Sequence, residues 1–263
     1  MLVERRTHFS PTAHGFAFSN AWSFGDADRA YLRRILRRYA ICGAALGSFF
    51  FGVGALLIPL AVLVIRVLLE RHLGPLYGLC GGMCFVALDY YRSGLTPIQI
   101  GVGERRPVPG TDLYRALWKR QVQSMLTDGA RFFVWALVLN YVPSVWPFGG
   151  GPRWLLARSR KEWRRLRASI DAGDPAPIGL VRDRKNVFDN HQVLVFGYDE
   201  LDHEHVILQV YDPNCPGRLS TISLEFGKQE LLGRESCGAD SALRGFFCES
   251  YRYVAPARRH ARA

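Results

Sequence analysis

Two cysteines four residues apart, Cys80 and Cys84, lie in the stretch YGLCGGMCFVALDYY (77–91), ahead of an apolar run. A cysteine is nucleophilic as its thiolate, and the positive end of a helix favours that form. Gly81 and Gly82 follow Cys80, where the free N–H groups of a first helical turn could also form part of an oxyanion hole. Cys84 lies one turn deeper, where a cysteine is usually a small core residue. The spacing favours Cys80 as a nucleophile and keeps Cys84 as the alternative.

A thiol nucleophile needs a base, and the segment DNHQVLVFGYDELDHEHVILQVYDPN (189–214) offers one. A hairpin symmetric about its polar loop places Val195 opposite Leu208 and His191 opposite Asp212, all on one face. Directly opposed Cβ atoms are ~4.5–5.5 Å apart, so the ring and the carboxylate would meet above an apolar floor. The acid would hold the histidine tautomer and stabilise its charged form. The sequence therefore predicts a Cys-His-Asp triad.

Metal binding is the competing chemistry for the same residue types. Cys80 and Cys84 with His191 would make a Cys₂His site, but their spacing departs from common zinc patterns. The DHEH segment (202–205) contains possible ligands, yet it lies in a predicted hairpin loop, where a solvated turn is the ordinary interpretation. We expect no metal and no cofactor.

Three of these motifs resemble the papain-like cysteine peptidases, particularly the bacterial leader-cleaving (double-glycine) type. LCGGMCFVALDYYRSG is similar to the nucleophile helix of that family, HQVLVFGYD to its histidine strand, and VYDPN to its Asp-Pro strand. The resemblance implies a papain-like fold and a thiol hydrolase acting on a peptide or amide. Cys80 would be the nucleophile, His191 the base and Asp212 its orienting acid. CGGMCF is also similar to the Cys-Gly-Ser-Cys-Trp of papain, an alignment that would promote Cys84.

The sequence departs from that family at two places. Gly82 replaces the usual proline, and the segment GPLYGL before Cys80 contains no oxyanion glutamine. Asn20, in GFAFSNAW, would fill that role if it folded back beside Gly81. The missing glutamine favours an alternative function, a non-catalytic membrane-associated binding module on the same fold. An acyltransferase using the same thiol is a further alternative.

An uncharged run of 27 residues extends from Tyr39 to Ile65. It exceeds the ~20 residues that a helix needs to cross a bilayer, and arginines precede it, which predicts a cytoplasmic N-terminus with the remainder on the other side. A single crossing would separate Asn20 from Cys80. The alternative is a buried or interfacial helical hairpin, broken by glycines and by Pro59. We expect membrane association, and a cytoplasmic location otherwise.

The other segments read as helices first and strands afterwards. Thr111 is a predicted N-cap of a helix reaching about Leu126, 129–142 is a short apolar core helix, and 153–171 is a basic amphipathic helix. After Gly173 come short β-branched and aromatic segments, which predict antiparallel strands: PIGLVRD, HQVLVFGYD, HVILQVYD, LSTISLEF and GFFCESYRYV.

This order indicates an α+β fold. With the resemblance, the expected architecture is papain-like, with N-terminal helices packed on a C-terminal antiparallel β-sheet and an apolar helical insert. The expected divisions are an N-terminal segment (1–38), the apolar insert or membrane segment (39–69) and a catalytic domain (70–263).

Composition excludes several other classes of protein. The net charge of +11 is partly concentrated in 153–167, but the apolar residues of that helix supply a buried side, and no nucleic-acid-binding motif accompanies it. The six cysteines form no CxxC pair or dense framework, so neither a zinc ribbon nor a disulfide scaffold is indicated, although one or two disulfides remain open. No cleavable signal peptide opens the sequence.

Overall fold

Antiparallel strands form the second half of the chain. The computed structural model describes residues 2–23, 76–97, 106–142, 150–183, 190–238 and 242–256, with the isolated positions 25, 26, 30, 34, 261 and 262. The strands, in chain order, are β1 (Val3–Arg6), β2 (Trp22–Ser23), β3 (Leu76–Tyr77), β4 (Thr96–Pro97), β5 (Ala176–Arg182), β6 (His191–Glu200), β7 (His205–Tyr211), β8 (Ser220–Phe226), β9 (Leu231–Glu235), β10 (Leu243–Cys248) and β11 (Ala261–Arg262).

Six of these strands close into an antiparallel barrel. The order β6-β5-β10-β9-β8-β7 returns to β6 through the β6–β7 hairpin, and β1 adds to the outside of β6. The predicted papain-like packing of helices on a C-terminal sheet is therefore wrong. Period-two alternation indicates strands and their buried faces, but closure depends on the pairing of β5 with the distant β10, which no local pattern encodes.

The chain divides into two units, one containing residues 1–20 and 79–263 and the other 21–78. In the described part of the second unit, β2 pairs with β3, and the rings of Trp22 and Tyr77 stack 6.1 Å apart. The predicted apolar insert (39–69) lies outside the described residues. In the described part of the chain, no helix combines the length and apolar character that a bilayer crossing requires.

Residues 1–20 belong to the same unit as the barrel. Val3 of β1 pairs with Glu200, and the Thr7 backbone N–H donates to the Phe196 carbonyl at 2.8 Å. Residues 3–7, which precede the apolar run, and the barrel, which follows it, therefore lie on the same side of any membrane. The expectation that a single crossing separates the N-terminus from the remainder is wrong.

Alternating residues of the β6–β7 hairpin fill the core as predicted. Val193, Val195, Leu208 and Val210 are all at most 1 % exposed and belong to one apolar cluster, which also receives Leu166 and other side chains from the last helix. The hairpin face carrying His191 thus continues directly into the core. Burying these side chains contributes about 1.5–3 kcal/mol each to the free energy of unfolding.

The predicted pairing within this hairpin is wrong, however. Val195 pairs with Val210, not with Leu208, and Leu208 pairs with Tyr198. The register differs from the predicted one by three residues toward the loop and by two beyond the bulge between Val195 and Gly197. Bulges insert one unpaired residue and are not visible in alternation alone. Near the open end the pairing is shifted by two residues from the predicted one. Because side chains alternate with a period of two, His191 and Asp212 still lie on the same face of the hairpin.

Helices precede the barrel strands β5–β10 in the chain. Those of the first unit are α1 (Pro11–His14), α2 (Cys80–Arg92), α3 (Asp112–Tyr141) and α4 (Gly150–Asp171). The Thr111 hydroxyl accepts from the Tyr114 N–H, which confirms the predicted N-cap. The predicted end near Leu126 is wrong, because one continuous helix spans both segments that the sequence suggested.

Helix α2 is fastened to α3 by a buried ion pair. The Arg120 guanidinium donates to the Asp89 carboxylate at 3.0 Å, and both side chains are under 5 % exposed. The Tyr251 hydroxyl and the Val254 N–H donate to the same carboxylate. Such satisfied burial of charge fixes the orientation of the helix that begins at Cys80.

Gly82 allows the start of α2 to approach α3 closely. A Cβ at this position would lie 2.2 Å from the Leu117 carbonyl oxygen, and the Gly82 N–H donates to the Gln121 side chain at 3.0 Å. A proline here would remove that donor. The structure thus explains why glycine stands where the resembling family carries proline.

We predict that Gly82→Ala lowers the free energy of unfolding by about 1–3 kcal/mol, because the added methyl group collides with the α3 backbone. Gly129→Ala is the matched control, since a Cβ there has no neighbour within 4 Å and lies inside α3. The control should gain up to about 1 kcal/mol from helix propensity. Urea unfolding of both variants measures the difference, and equal stability would contradict the close packing.

Candidate active site

Cys80 is the first residue of α2. Its side chain is partly exposed, and the Gly81 backbone and the Gln192 backbone both hydrogen-bond its sulfur. The N-terminal position adds the unpaired N–H groups and the positive end of a 13-residue helix. These groups all favour a negative charge at the sulfur.

His191 links this sulfur to a carboxylate. Its ring hydrogen-bonds the Cys80 thiol, and its Nε2 lies 2.8 Å from Asp212 Oδ1. His191 is 3 % exposed and Asp212 is 2 % exposed. Because Leu194 pairs with Tyr211, His191 and Asp212 are diagonal rather than directly opposed, a separation that long side chains still span. The structure therefore brings the three predicted triad residues together, by a different register from the predicted one.

Electrostatics in this triad favours a thiolate–imidazolium pair. Burial alone would lower the pKa of His191, but the Asp212 charge and hydrogen bond, with those of Cys80, raise it to about 10. Burial works against the charged sulfur too, yet the hydrogen bond and charge of His191 leave the pKa of Cys80 below its ordinary value. Burial raises the pKa of Asp212, but His191, the Asn214 backbone and Arg182 together lower it below its ordinary value. His191 and Asp212 are therefore charged at neutral pH, and their arrangement biases the Cys80 sulfur toward its thiolate.

The loop after β7 holds the carboxylate in place. The Asn214 N–H donates to Asp212 Oδ1 at 2.8 Å, and the Cys215 N–H donates to the Asp212 carbonyl. Cys215 is also joined by a disulfide to Cys237, beyond β9. The sequence did not decide whether a disulfide forms. The hydrogen bond from Asn214 to Asp212 was not predicted, although an Asp-Pro-Asn turn is a signal for such a bond.

Asn20 lies at the start of α2, as the oxyanion prediction requires. Its side-chain oxygen accepts from the Leu79 N–H, and its amide nitrogen donates to Asn214 at 3.0 Å. Gly81 is adjacent to the sulfur. Asn20 therefore bonds the residue that precedes Cys80, and Gly81 is the residue that follows it.

The alternative nucleophile Cys84 lies in a different environment. It is fully buried, its thiol donates to the Gln192 carbonyl at 3.6 Å, and burial raises its pKa well above the ordinary value. A thiol that remains protonated is a poor nucleophile. The geometry favours Cys80.

Gln192 is a site residue that sequence reasoning missed. Its side-chain oxygen lies 3.7 Å from the Cys80 sulfur, and a Cβ on Gly81 would lie 1.9 Å from that oxygen. Gly81 is therefore required so that the Gln192 amide can reach the nucleophile. The adjacency of Gln192 to a candidate base was the only available signal.

Metal chemistry finds no support at the DHEH segment. Asp202 accepts from the backbone N–H groups of Glu204 and His205 and pairs with the His205 ring at 2.9 Å, which is the bonding of a solvated turn. Within the ranges that the structure describes, no three His, Cys, Asp or Glu side chains are grouped to hold a metal ion.

Comparison with known proteins gives no match to a family model, to a curated protein or to a solved structure. The resemblance to papain-like peptidases therefore stays a prediction from three motifs.

We predict that iodoacetamide at neutral pH modifies Cys80 and spares Cys84 and Cys248, whose pKa values are raised by burial. The Cys80 rate should be level over a window of pH. It should fall as acid protonates the thiolate and rise again where His191 loses its proton, near its pKa of about 10. Site-resolved mass spectrometry follows all three thiols in one sample. A Cys80 rate that rises only around the pKa of an ordinary thiol would contradict the ion pair.

Proposed function

We propose that the protein is a cysteine-dependent hydrolase, a peptidase or amidase that acts through Cys80, His191 and Asp212. The observation that carries the proposal is the continuous hydrogen-bonded chain from the Cys80 sulfur through the His191 ring to the Asp212 carboxylate. Two further features support it: Cys80 is a partly exposed residue, and the three motifs that resemble cysteine peptidases converge at this point.

The first half of the reaction forms an acyl-enzyme. The Cys80 thiolate attacks the substrate carbonyl carbon, and the carbonyl electron pair moves to oxygen. In this proposal, the Gly81 N–H and an N–H of the Asn20 amide stabilise that oxyanion. His191 gives its proton to the departing amine as the carbon–nitrogen bond breaks, and Asp212 keeps the ring oriented.

The second half returns the enzyme to its starting state. Neutral His191 takes a proton from water while the water oxygen attacks the thioester carbon. Collapse of the second tetrahedral intermediate expels the Cys80 thiolate and releases a carboxylic acid. The imidazolium form of His191 is restored, so the thiolate–imidazolium pair begins the next cycle.

We predict that the wild-type chain releases p-nitrophenolate from p-nitrophenyl acetate and carries an acetyl group on Cys80 during turnover. Cys80→Ala should reduce the rate by on the order of a thousandfold or more, because the nucleophile is removed. Cys84→Ala is the matched control and should keep most of the activity.

Mass spectrometry of the acid-quenched enzyme locates the acetyl group. Acetylation elsewhere, or equal rates in Cys80→Ala and the wild type, would contradict the proposal and favour a binding module. An acetyl group that leaves Cys80 only when an amine acceptor is added would instead indicate an acyltransferase.

We also propose that the uncharged run from Tyr39 to Ile65 attaches this hydrolase to a membrane. The run is long enough for insertion, and residues 1–20 and 79–263 belong to one folded unit, which an interfacial or hairpin attachment accommodates.

We predict that the full chain remains with membranes after carbonate extraction, and that Leu56→Asp with Val64→Asp moves it to the supernatant. Each acidic residue costs up to about 2.5–3.5 kcal/mol, the value for the centre of an inserted helix. Leu219→Asp, at an exposed position, is the control and should leave the distribution unchanged. A wild-type chain found in the supernatant would contradict membrane attachment.

A further inference from the structure

A buried acid lies beneath the nucleophile and takes no part in the mechanism above. The Gln192 amide nitrogen donates to Glu249 Oε1 and to the Ser124 hydroxyl, while its oxygen faces the Cys80 sulfur. Gln192 is 4 % exposed, Ser124 1 % and Glu249 8 %. The buried Gln192 amide therefore contacts both Glu249 and the Cys80 sulfur.

The second oxygen of this acid, Glu249 Oε2, is buried without a hydrogen-bond partner among the described residues. An ionised carboxylate with a bare buried oxygen is unfavourable, so the site suits a neutral acid. The charges around it act in both directions. Asp128 and Cys80 oppose a negative charge on Glu249, and Arg131 of α3 favours it.

Arg131 and Cys84 also interact electrostatically with Glu249. Arg131 is shared with Asp128 and with Glu162 of α4, so it is not dedicated to Glu249. Cys84, the other titratable group of α2 that Glu249 influences, stays protonated. Burial and these charges together raise the pKa of Glu249 to about 8.

The Gln192 amide has two orientations with different consequences for the sulfur. With nitrogen toward Glu249, the amide oxygen faces the sulfur and accepts from a thiol, but it repels a thiolate. With the amide rotated by half a turn, its nitrogen donates to a thiolate. Its oxygen must then accept from the Ser124 hydroxyl and from Glu249, and Glu249 can donate only when it is protonated.

We propose that Gln192 and Glu249 are positioning residues that couple the protonation of Glu249 to the stability of the Cys80 thiolate. This proposal rests on the proposed function, because it requires Cys80 to react as a thiolate. Neutral Glu249 permits the amide orientation that donates to the sulfur. Ionised Glu249 requires the opposite orientation, which turns the amide oxygen toward the thiolate.

The test is the pH dependence of Cys80 alkylation by iodoacetamide, read at that residue by mass spectrometry. In the wild type, the level window between the thiol pKa and the rise due to His191 should be divided in two by a small rise near the Glu249 pKa of about 8, because a less stabilised thiolate is more nucleophilic. A tenfold weaker stabilisation corresponds to a roughly threefold faster reaction.

Glu249→Gln should remove this rise, because its side-chain amide can donate to Gln192 at every pH. Ser124→Ala is a second variant, and it should move the start of the level region to higher pH, since one donor to the rotated amide is lost. Glu225→Gln, at an exposed position on β8, is the matched control and should keep the wild-type profile.

The outcomes separate the coupling from the proposed function. A rise near pH 8 that persists in Glu249→Gln, or a wild-type profile with no such rise, overturns the coupling and leaves the hydrolase proposal in place. A wild-type Cys80 that titrates like an ordinary thiol, with no level region, overturns the hydrolase proposal itself.

Discussion

The hydrogen bond between His191 and Asp212 is the interaction on which the candidate site depends. An imidazole that is 3 % exposed would ordinarily be neutral, because burial disfavours its charged form. Asp212 reverses that preference at 2.8 Å, and the charged ring is the counter-ion of the Cys80 thiolate. Without the Asp212 carboxylate, the His191 ring would be neutral and the sulfur would lose its counter-ion. The N-terminus of α2 would still favour a negative charge on the sulfur. Two buried charges are tolerable here because each has a partner.

The surrounding fold places these groups with elements distant in sequence. The barrel brings Asp212 beside His191 through the β6–β7 hairpin, and α2 delivers Cys80 to the open end of that hairpin. The Asp89–Arg120 pair fixes α2 against α3. Gly81 leaves room for the Gln192 side chain, and Gly82 leaves room for the Leu117 carbonyl. Neither position has space for a Cβ. The site is assembled by contacts across the whole first unit.

Part of this arrangement could be predicted from the sequence, because local patterns carry it. Alternation predicted the faces of β6 and β7, and the meeting of His191 with Asp212 followed even though the register was wrong by two residues. Barrel closure could not be predicted, since it depends on long-range pairing, and neither could the bulge in β6. Strand β9 was missed because LLGRE has little alternation. Gln192 and Glu249 were missed because only the folded chain places them beneath Cys80.

The most direct test of the thiolate–imidazolium pair is a nitrogen-15 NMR titration of the His191 ring in the wild type and in Cys80→Ala. The account predicts that the wild-type ring stays protonated through neutral pH and titrates near a pKa of about 10. It also predicts a lower pKa for the ring in Cys80→Ala, where the sulfur no longer supports its charge. A ring that is neutral at pH 7 in the wild type, or an identical titration in both proteins, would contradict the account.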